Sequence, residues 1–431
     1  MRSKICSFFL GNGENVLKKA YIWNMTAGTL NAFQSVIMLM IITRAVDLTA
    51  AGVFTIAYTT ANLLLNLGLY GMRDFLVSDV AHVYSFREYR GTRNISIAAM
   101  MVFVTAYMAV MLSSGKYDPE KCVIVILMTL LKAQDVFEDT YAGYYQNQER
   151  LDAGAKMTAI RMMLTIVSFG IVIVVTKSLL WTLVSVVLIN FAYLAVTLTA
   201  TAPQFIDKGE RCDRRNVRKL LVTLLPLCAG WFLSYYLGNA PKYAIDSLMT
   251  EEVQACFGFI AMPVWVVGVL SNFIFQPVLT KMTLCWNDGK LKELRKIVLK
   301  QAFYILLITL GTLAAGYFLG IPALSWMYNT DLSGYFAEFM VLLCGGGLYA
   351  LSRYFVVVIT LMRMQKTVAW CYLAVSAAAI VSVNWFVSAM GVMGACLEYI
   401  ISMVLISVLL LVVVIYAFRK KGKQGEGATA K

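Results

Sequence analysis

Lys132 and Arg353 each interrupt a run of apolar residues long enough to cross a bilayer. A charge at the centre of such a helix costs about 2.5–3.5 kcal/mol on insertion scales, so something must offset it. A buried carboxylate, a water-filled lumen or an anionic ligand would each serve. Asp135 stands one turn beyond Lys132 and is its local partner, whereas Arg353 has no acid within four residues on its own segment. Arg353 is therefore expected to face a lumen or a ligand. Asp135, Glu138 and Asp139 follow at i, i+3 and i+4 on one helical side, an arrangement that suits a cation or proton coupling site, with Asp135 the candidate. Glu338 and Glu398 are alternative counter-charges for Arg353. Arg44, Arg73 and Lys242 stand at the ends of apolar runs, where Arg and Lys either snorkel to the interface or hold an anionic head group. Asn239 and Pro241 would shape the mouth beside Lys242.

Other chemistries lack their residues. His82 is the one histidine, and the nine Cys include no Cys-x-x-Cys pair, so neither a metal centre nor a cofactor is expected. A net charge of +13 raises the question of nucleic acid, but the basic residues fall in alternate loops, a membrane-topology pattern.

The elements that position these residues are transmembrane helices. Of 431 residues 60% are hydrophobic and 14% charged, with a mean hydropathy of +0.72; soluble domains carry about 25% charged residues. At roughly 20 residues per span, the chain divides into about twelve apolar runs. The segments read as internal hold 30 of the 37 Lys and Arg, outer turns five, and helix interiors two. This places both termini in the cytoplasm. The expected architecture is an all-α polytopic membrane protein with about twelve helices in two six-helix bundles, related as parallel repeats around a central cavity. The N-terminal bundle covers 1–200, a basic linker 201–219, the C-terminal bundle 220–418 and a polar tail 419–431. Residues 1–19 are read as a polar lead without a signal peptide, and Gly71–Asn94 as an internal loop. Pro226, Pro263 and Pro277 are expected to break helices, and Gly345-Gly346-Gly347 to permit close helix packing.

One stretch repeats weakly. Asn239-Ala-Pro-Lys-Tyr-Ala-Ile-Asp246 closes the first run of the second half, and Thr43-Arg-Ala-Val-Asp47 closes the first run of the chain. With Phe257-Gly-Phe-Ile-Ala-Met-Pro263, Phe275-Gln-Pro-Val-Leu-Thr-Lys281 and Gly320-Ile-Pro-Ala-Leu324, they resemble bacterial polysaccharide or O-antigen flippases of the multidrug/oligosaccharidyl-lipid/polysaccharide exporter superfamily. The resemblance spans nearly the whole chain on degenerate motifs. It implies a cation-lined cavity that takes a polyprenyl-pyrophosphate-linked oligosaccharide to the outer leaflet by alternating access, with Arg44 and Lys242 facing it. It implies a bacterial plasma membrane location, and lipid-linked oligosaccharide, membrane lipids and the polysaccharide polymerase machinery as partners. O-antigen, capsule or exopolysaccharide assembly would be the setting.

Three readings compete. A multidrug extruder shares the fold but favours an acidic cavity for organic cations. The loop signature of facilitator-superfamily transporters is absent from Gly71–Asn94. A membrane glycosyltransferase would need a catalytic outer loop, and the longest expected here, Gly320–Ser333, has Asp331 as its one acid. No enzyme is expected.

Overall fold

The computed structural model describes residues 2–11, 16–79, 83–206, 212–275 and 278–429. Expectations for His82, Lys208, Arg211, Gln276 and Pro277 lie outside these. The described residues form helices and turns and contain no strand. By contact density the chain forms two compact units, Met1–Phe232 and Leu233–Lys431.

In the first unit, α1 (Arg2–Leu10), α2 (Val16–Ala45), α3 (Leu48–Leu69), α4 (Met72–Ser78), α5 (Phe86–Ser113), α6 (Pro119–Asn147), α7 (Leu151–Thr176) and α8 (Leu179–Thr201) precede α9 (Arg214–Leu248), whose first part belongs here. Their starts are written in side chains that take the unpaired amide hydrogens of a first turn. Asp47 Oδ1 accepts from the Ala50 amide at 2.7 Å, Asp118 Oδ1 from Lys121 at 3.1 Å ahead of Pro119, and Ser85 with Glu88 forms a reciprocal capping box before α5. The Asp of the Thr43–Asp47 stretch is thus the N-cap of α3, and Arg44 is exposed in the last turn of α2. Helix α6 is central, packing against α3, α5, α7 and α8.

The lead expected to be polar is helical instead. Phe9 of α1 is buried against α7 and α8 in a cluster with Phe86, Tyr145 and Leu198, because Cys6, Phe8, Phe9 and Leu10 outweigh the flanking charges. Lys156 Nζ and the Arg150 guanidinium donate to the carbonyls of Phe8 and Leu10 at its C-terminal end.

In the second unit the remainder of α9 is followed by α10 (Glu251–Phe275), α11 (Leu279–Asn287), α12 (Leu291–Ala315), α13 (Ile321–Tyr328), α14 (Phe336–Leu361) and α15 (Gln365–Thr429). Helix α14 holds the place that α6 holds in the first unit, packing on α10, α12 and α15. Its three consecutive glycines make this possible. A Cβ at Gly345 would stand 2.6 Å from the Tyr399 ring of α15, at Gly346 3.2 Å from the Val264 carbonyl oxygen of α10, and at Gly347 2.3 Å from Thr309 of α12. Each glycine seats a different neighbour.

Three expected boundaries move. The loop expected over Gly71–Asn94 is largely helical, since α4 and the start of α5 fall within it. Asn239, Pro241 and Lys242 lie inside α9 rather than in a turn after it. Ala240, Ala244 and Ile245 beyond the expected end are buried, and that packing carries the helix through a proline. The outer loop expected over Gly320–Ser333 is mostly helical, a π turn (Gly316–Gly320) leading straight into α13 with Pro322 in its first turn, the one place where proline fits a helix. Only 329–332 remain as turn, and Asp331 is occupied there. Its Oδ1 accepts from the Ser333 amide at 2.9 Å, which holds its carboxyl below the usual range.

Among the described residues, nine helices are long and apolar enough to cross a membrane. The twelve-helix reading is consistent with that number. Helix α15 is two helices joined at Gly391, whose φ of 61° and ψ of −136° break the helical course. Helix α10 carries charge only at Glu251 and Glu252 in its first turn. Beyond its first turn, helix α6 carries four charges, Lys132, Asp135, Glu138 and Asp139, and their partners make it the centre of the first unit.

Candidate functional site

Lys132, Asp135, Glu138 and Asp139 line one side of α6 at helical spacing, and five neighbouring helices bring partners to them. Asp135 is held between Lys132 at 3.2 Å and Arg161 of α7 at 2.6 Å. Arg161 turns its Nε to Glu138 at 2.5 Å. Asp139 receives Arg93 of α5 at 2.9 Å and Arg73 of α4 at 2.8 Å. Lys132 also donates to Gln34 of α2 at 3.1 Å and stands 4.8 Å above the Tyr58 ring of α3. Arg93 is satisfied further by Thr140 Oγ1 and by the Gly68 carbonyl, each at 2.7 Å. Lys132, Arg93, Arg161 and Glu138 are each 1% exposed.

The network has a direction. Lys132 is its buried end, and Arg73, 37% exposed in its side chain, is its rim. Arg73 is aimed by a sharp turn between α3 and α4, in which Tyr70 (φ 54°) and Gly71 (φ 65°) both take left-handed backbone. Only glycine fits the second position without cost, since a Cβ there would also meet Leu227 at 2.5 Å. Arg73 then opens, with Asn24, Asp74, Ser78 and Gln146, on a cavity of 390 Å³. Four cations face three carboxylates in the network, leaving one positive charge in excess.

Polar side chains of α3 also bond within their own helix. Thr59, Asn62 and Asn66 each donate to the carbonyl four residues back, at 2.7–2.8 Å.

In the second unit two cations of the spans stand without an ion pair among the described residues. Lys242 of α9 is half-buried and has no ion pair or hydrogen bond among the described residues; neighbouring Asn239 donates to the Tyr235 carbonyl at 3.0 Å. Arg353 of α14 is exposed beside the buried Tyr372 and forms no ion pair among the described residues. Glu398, an alternative counter-charge, is instead bonded by Ser402 Oγ at 2.6 Å with its other oxygen unpartnered among the described residues. Lys132 and Arg353 thus occupy the central helix of their respective units. Lys132 is neutralised by protein, and Arg353 has no ion pair among the described residues.

Arg93 and Arg161 are the members that sequence reasoning did not single out. One signal pointed to them: three acids on one face of an apolar segment need more cation than Lys132 supplies.

Comparison with solved structures shows the fold. The lipid II flippase MurJ in an inward closed conformation matches with a TM-score of 0.66 at 14% identity, over 93% of this chain and 89% of that one. An inward-facing MATE-family multidrug resistance transporter matches at 0.61 and 12% identity over 92% and 96%. The eukaryotic MATE transporter AtDTX14 matches at 0.59 and 13% identity over 98% of each chain. The fold is that of the MOP-superfamily transporters, a multi-pass helical membrane architecture. Within that class, the chain belongs to the family described as polysaccharide biosynthesis protein, whose profile matches residues 17–283. No curated protein sequence matches it.

Proposed function

We propose that the chain is a flippase that moves polyprenyl-pyrophosphate-linked oligosaccharide repeat units from the inner to the outer leaflet for cell-surface polysaccharide synthesis, by alternating access. Family membership over residues 17–283 carries the reading. The charge pattern supports it. Lys242 and Arg353 lie in membrane-spanning helices without carboxylate partners among the described residues, and the network on α6 carries one cation in excess. An unpaired cation in an apolar segment is a costly feature to retain, and a diphosphate ligand offsets that cost. In this reading Arg44, Arg73, Lys132, Asn239, Lys242 and Arg353 contact the substrate. Asp135 is the coupling carboxylate, where an arriving proton or cation competes with Lys132 and Arg161. The protein lies in the bacterial plasma membrane with both termini in the cytoplasm, works beside the polymerase machinery, and breaks no covalent bond.

Likeness to MATE transporters keeps an organic-cation antiporter as the second reading. Native mass spectrometry of gently extracted protein separates the two. A co-purified polyprenyl diphosphate oligosaccharide, lost in Lys242→Gln and Arg353→Gln with the folded yield retained, is the expected result. Bulk phospholipid alone, with added organic cations binding, would refute the flippase reading.

A further inference from the structure

At the polar end of α5, a cavity of 470 Å³ is lined by Arg87, Arg90 and Asn94, none of them members of the ion-pair network, with Phe86 and Ile206 as apolar surface and Cys212 as a wall. The three polar residues fall at i, i+3 and i+7, on one face of the helix. Among the described residues no acid lines the cavity and Arg90 forms no ion pair.

The wall is built in. Glu88 Oε2 caps α5 through the Ser85 amide at 2.9 Å, while its Oε1 accepts from the Asp213 amide at 3.2 Å and from Asn216 Nδ2 at 2.8 Å. One buried carboxylate thereby fixes the start of α9 against the start of α5. Gly91 allows the approach, since a Cβ there would sit 3.4 Å from Val217 and 3.5 Å from Cys212 Sγ. A second feature adjoins the first. Past Asn94, α5 exposes Ile95 and Val102, two turns apart on the adjoining flank, at 48% and 69%. Two guanidiniums and an amide thus stand at the head of an open apolar strip, and that sequence of chemistry runs parallel to a phospholipid, phosphate first and acyl chain after.

We propose that this cavity binds the phosphodiester headgroup of an anionic phospholipid from the leaflet facing this end of α5, with an acyl chain along the exposed strip. Arg supplies bidentate donors to phosphate oxygens and stays charged at any physiological pH. Each Arg near an anionic membrane surface contributes about fivefold in affinity, so loss of both weakens binding roughly thirtyfold. The proposal stands whether or not the chain is a flippase.

The test uses delipidated full-length protein in which Cys6 and Cys344 are replaced by Ser, leaving Cys212 as the exposed thiol. Phosphatidylglycerol and phosphatidylcholine with matched chains are titrated, reading adduct stoichiometry by native mass spectrometry and the rate of maleimide labelling at Cys212. Phosphatidylglycerol is expected to add one tightly held lipid and slow the labelling. Phosphatidylcholine and millimolar inorganic phosphate are expected to do neither. R87Q/R90Q should need roughly thirtyfold more phosphatidylglycerol for the same protection, and N94L, a substitution at an exposed position, should weaken protection in the same direction. Equal protection by the two phospholipids, protection by phosphate alone, or unaltered protection in both variants would overturn the proposal. Displacement of phosphatidylglycerol by equimolar polyprenyl diphosphate would overturn it too, assigning the cavity to the transported lipid.

Discussion

Arg161→Met is the sharpest perturbation of the first unit. Arg161 is 1% exposed and neutralises Asp135 at 2.6 Å and Glu138 at 2.5 Å. After its removal Asp135 keeps Lys132 at 3.2 Å, but Glu138 keeps no cation and already has one oxygen without a partner among the described residues. Breaking a buried pair by deleting one member costs about 3–5 kcal/mol, chiefly the cost of the abandoned charge. For a body the size of Met1–Phe232, each kcal/mol lowers the melting temperature by about 2–4 °C, so the loss should be roughly 6–20 °C. Glu138→Gln added to Arg161→Met removes the abandoned charge and should recover about 1–3 kcal/mol, making the double variant more stable than the single. The assay is thermal unfolding in detergent followed by fluorescence-detected size exclusion, with all four corners of the cycle measured. A single variant melting within 2 °C of the parent, or a cycle with no recovery, would show that the network on α6 does not hold the unit together.

Lys242→Gln should leave the melting temperature unchanged or raise it slightly, because it removes a half-buried cation with no ion pair among the described residues, while transport in a proteoliposome flipping assay falls at least tenfold. Gly347→Leu puts a side chain where a Cβ alone would meet Thr309 at 2.3 Å, and overpacking of about 1–3 kcal/mol or more should lower both yield and melting temperature. Asp47→Ala removes the cap on the Ala50 amide and should cost about 1 kcal/mol, read as a shift of a few degrees, with Asp47→Asn largely neutral.

How far the sequence could be read depended on the kind of signal. Apolar runs and alternating loop charge are properties of a segment's own residues, so the twelve helices and the two halves were legible before any coordinate. The Lys132–Asp135 pair was legible too, since both lie one turn apart on α6. Arg93 and Arg161 were not, because their partners come from other helices and their own positions, near the ends of apolar runs, read as ordinary flanking charge. The glycine triplet signalled close packing, but not that three separate helices use one residue each. The course of α9 through Pro241 was hidden for a similar reason: local rules disfavour it, and only the packing of Ala244 and Ile245 restores the helix.

The charge pattern of α6 also constrains how the chain is made. A segment with one Lys and three acids enters the lipid poorly by itself, at about 2.5–3.5 kcal/mol for each charge near its centre. Arg73 and Arg93 precede α6 in synthesis, but Arg161 arrives only with α7. A nascent chain that has just finished α6 therefore holds Asp135 and Glu138 with one guanidinium missing. Insertion of α6 and α7 as a hairpin would carry Arg161 into the lipid together with the two carboxylates it neutralises.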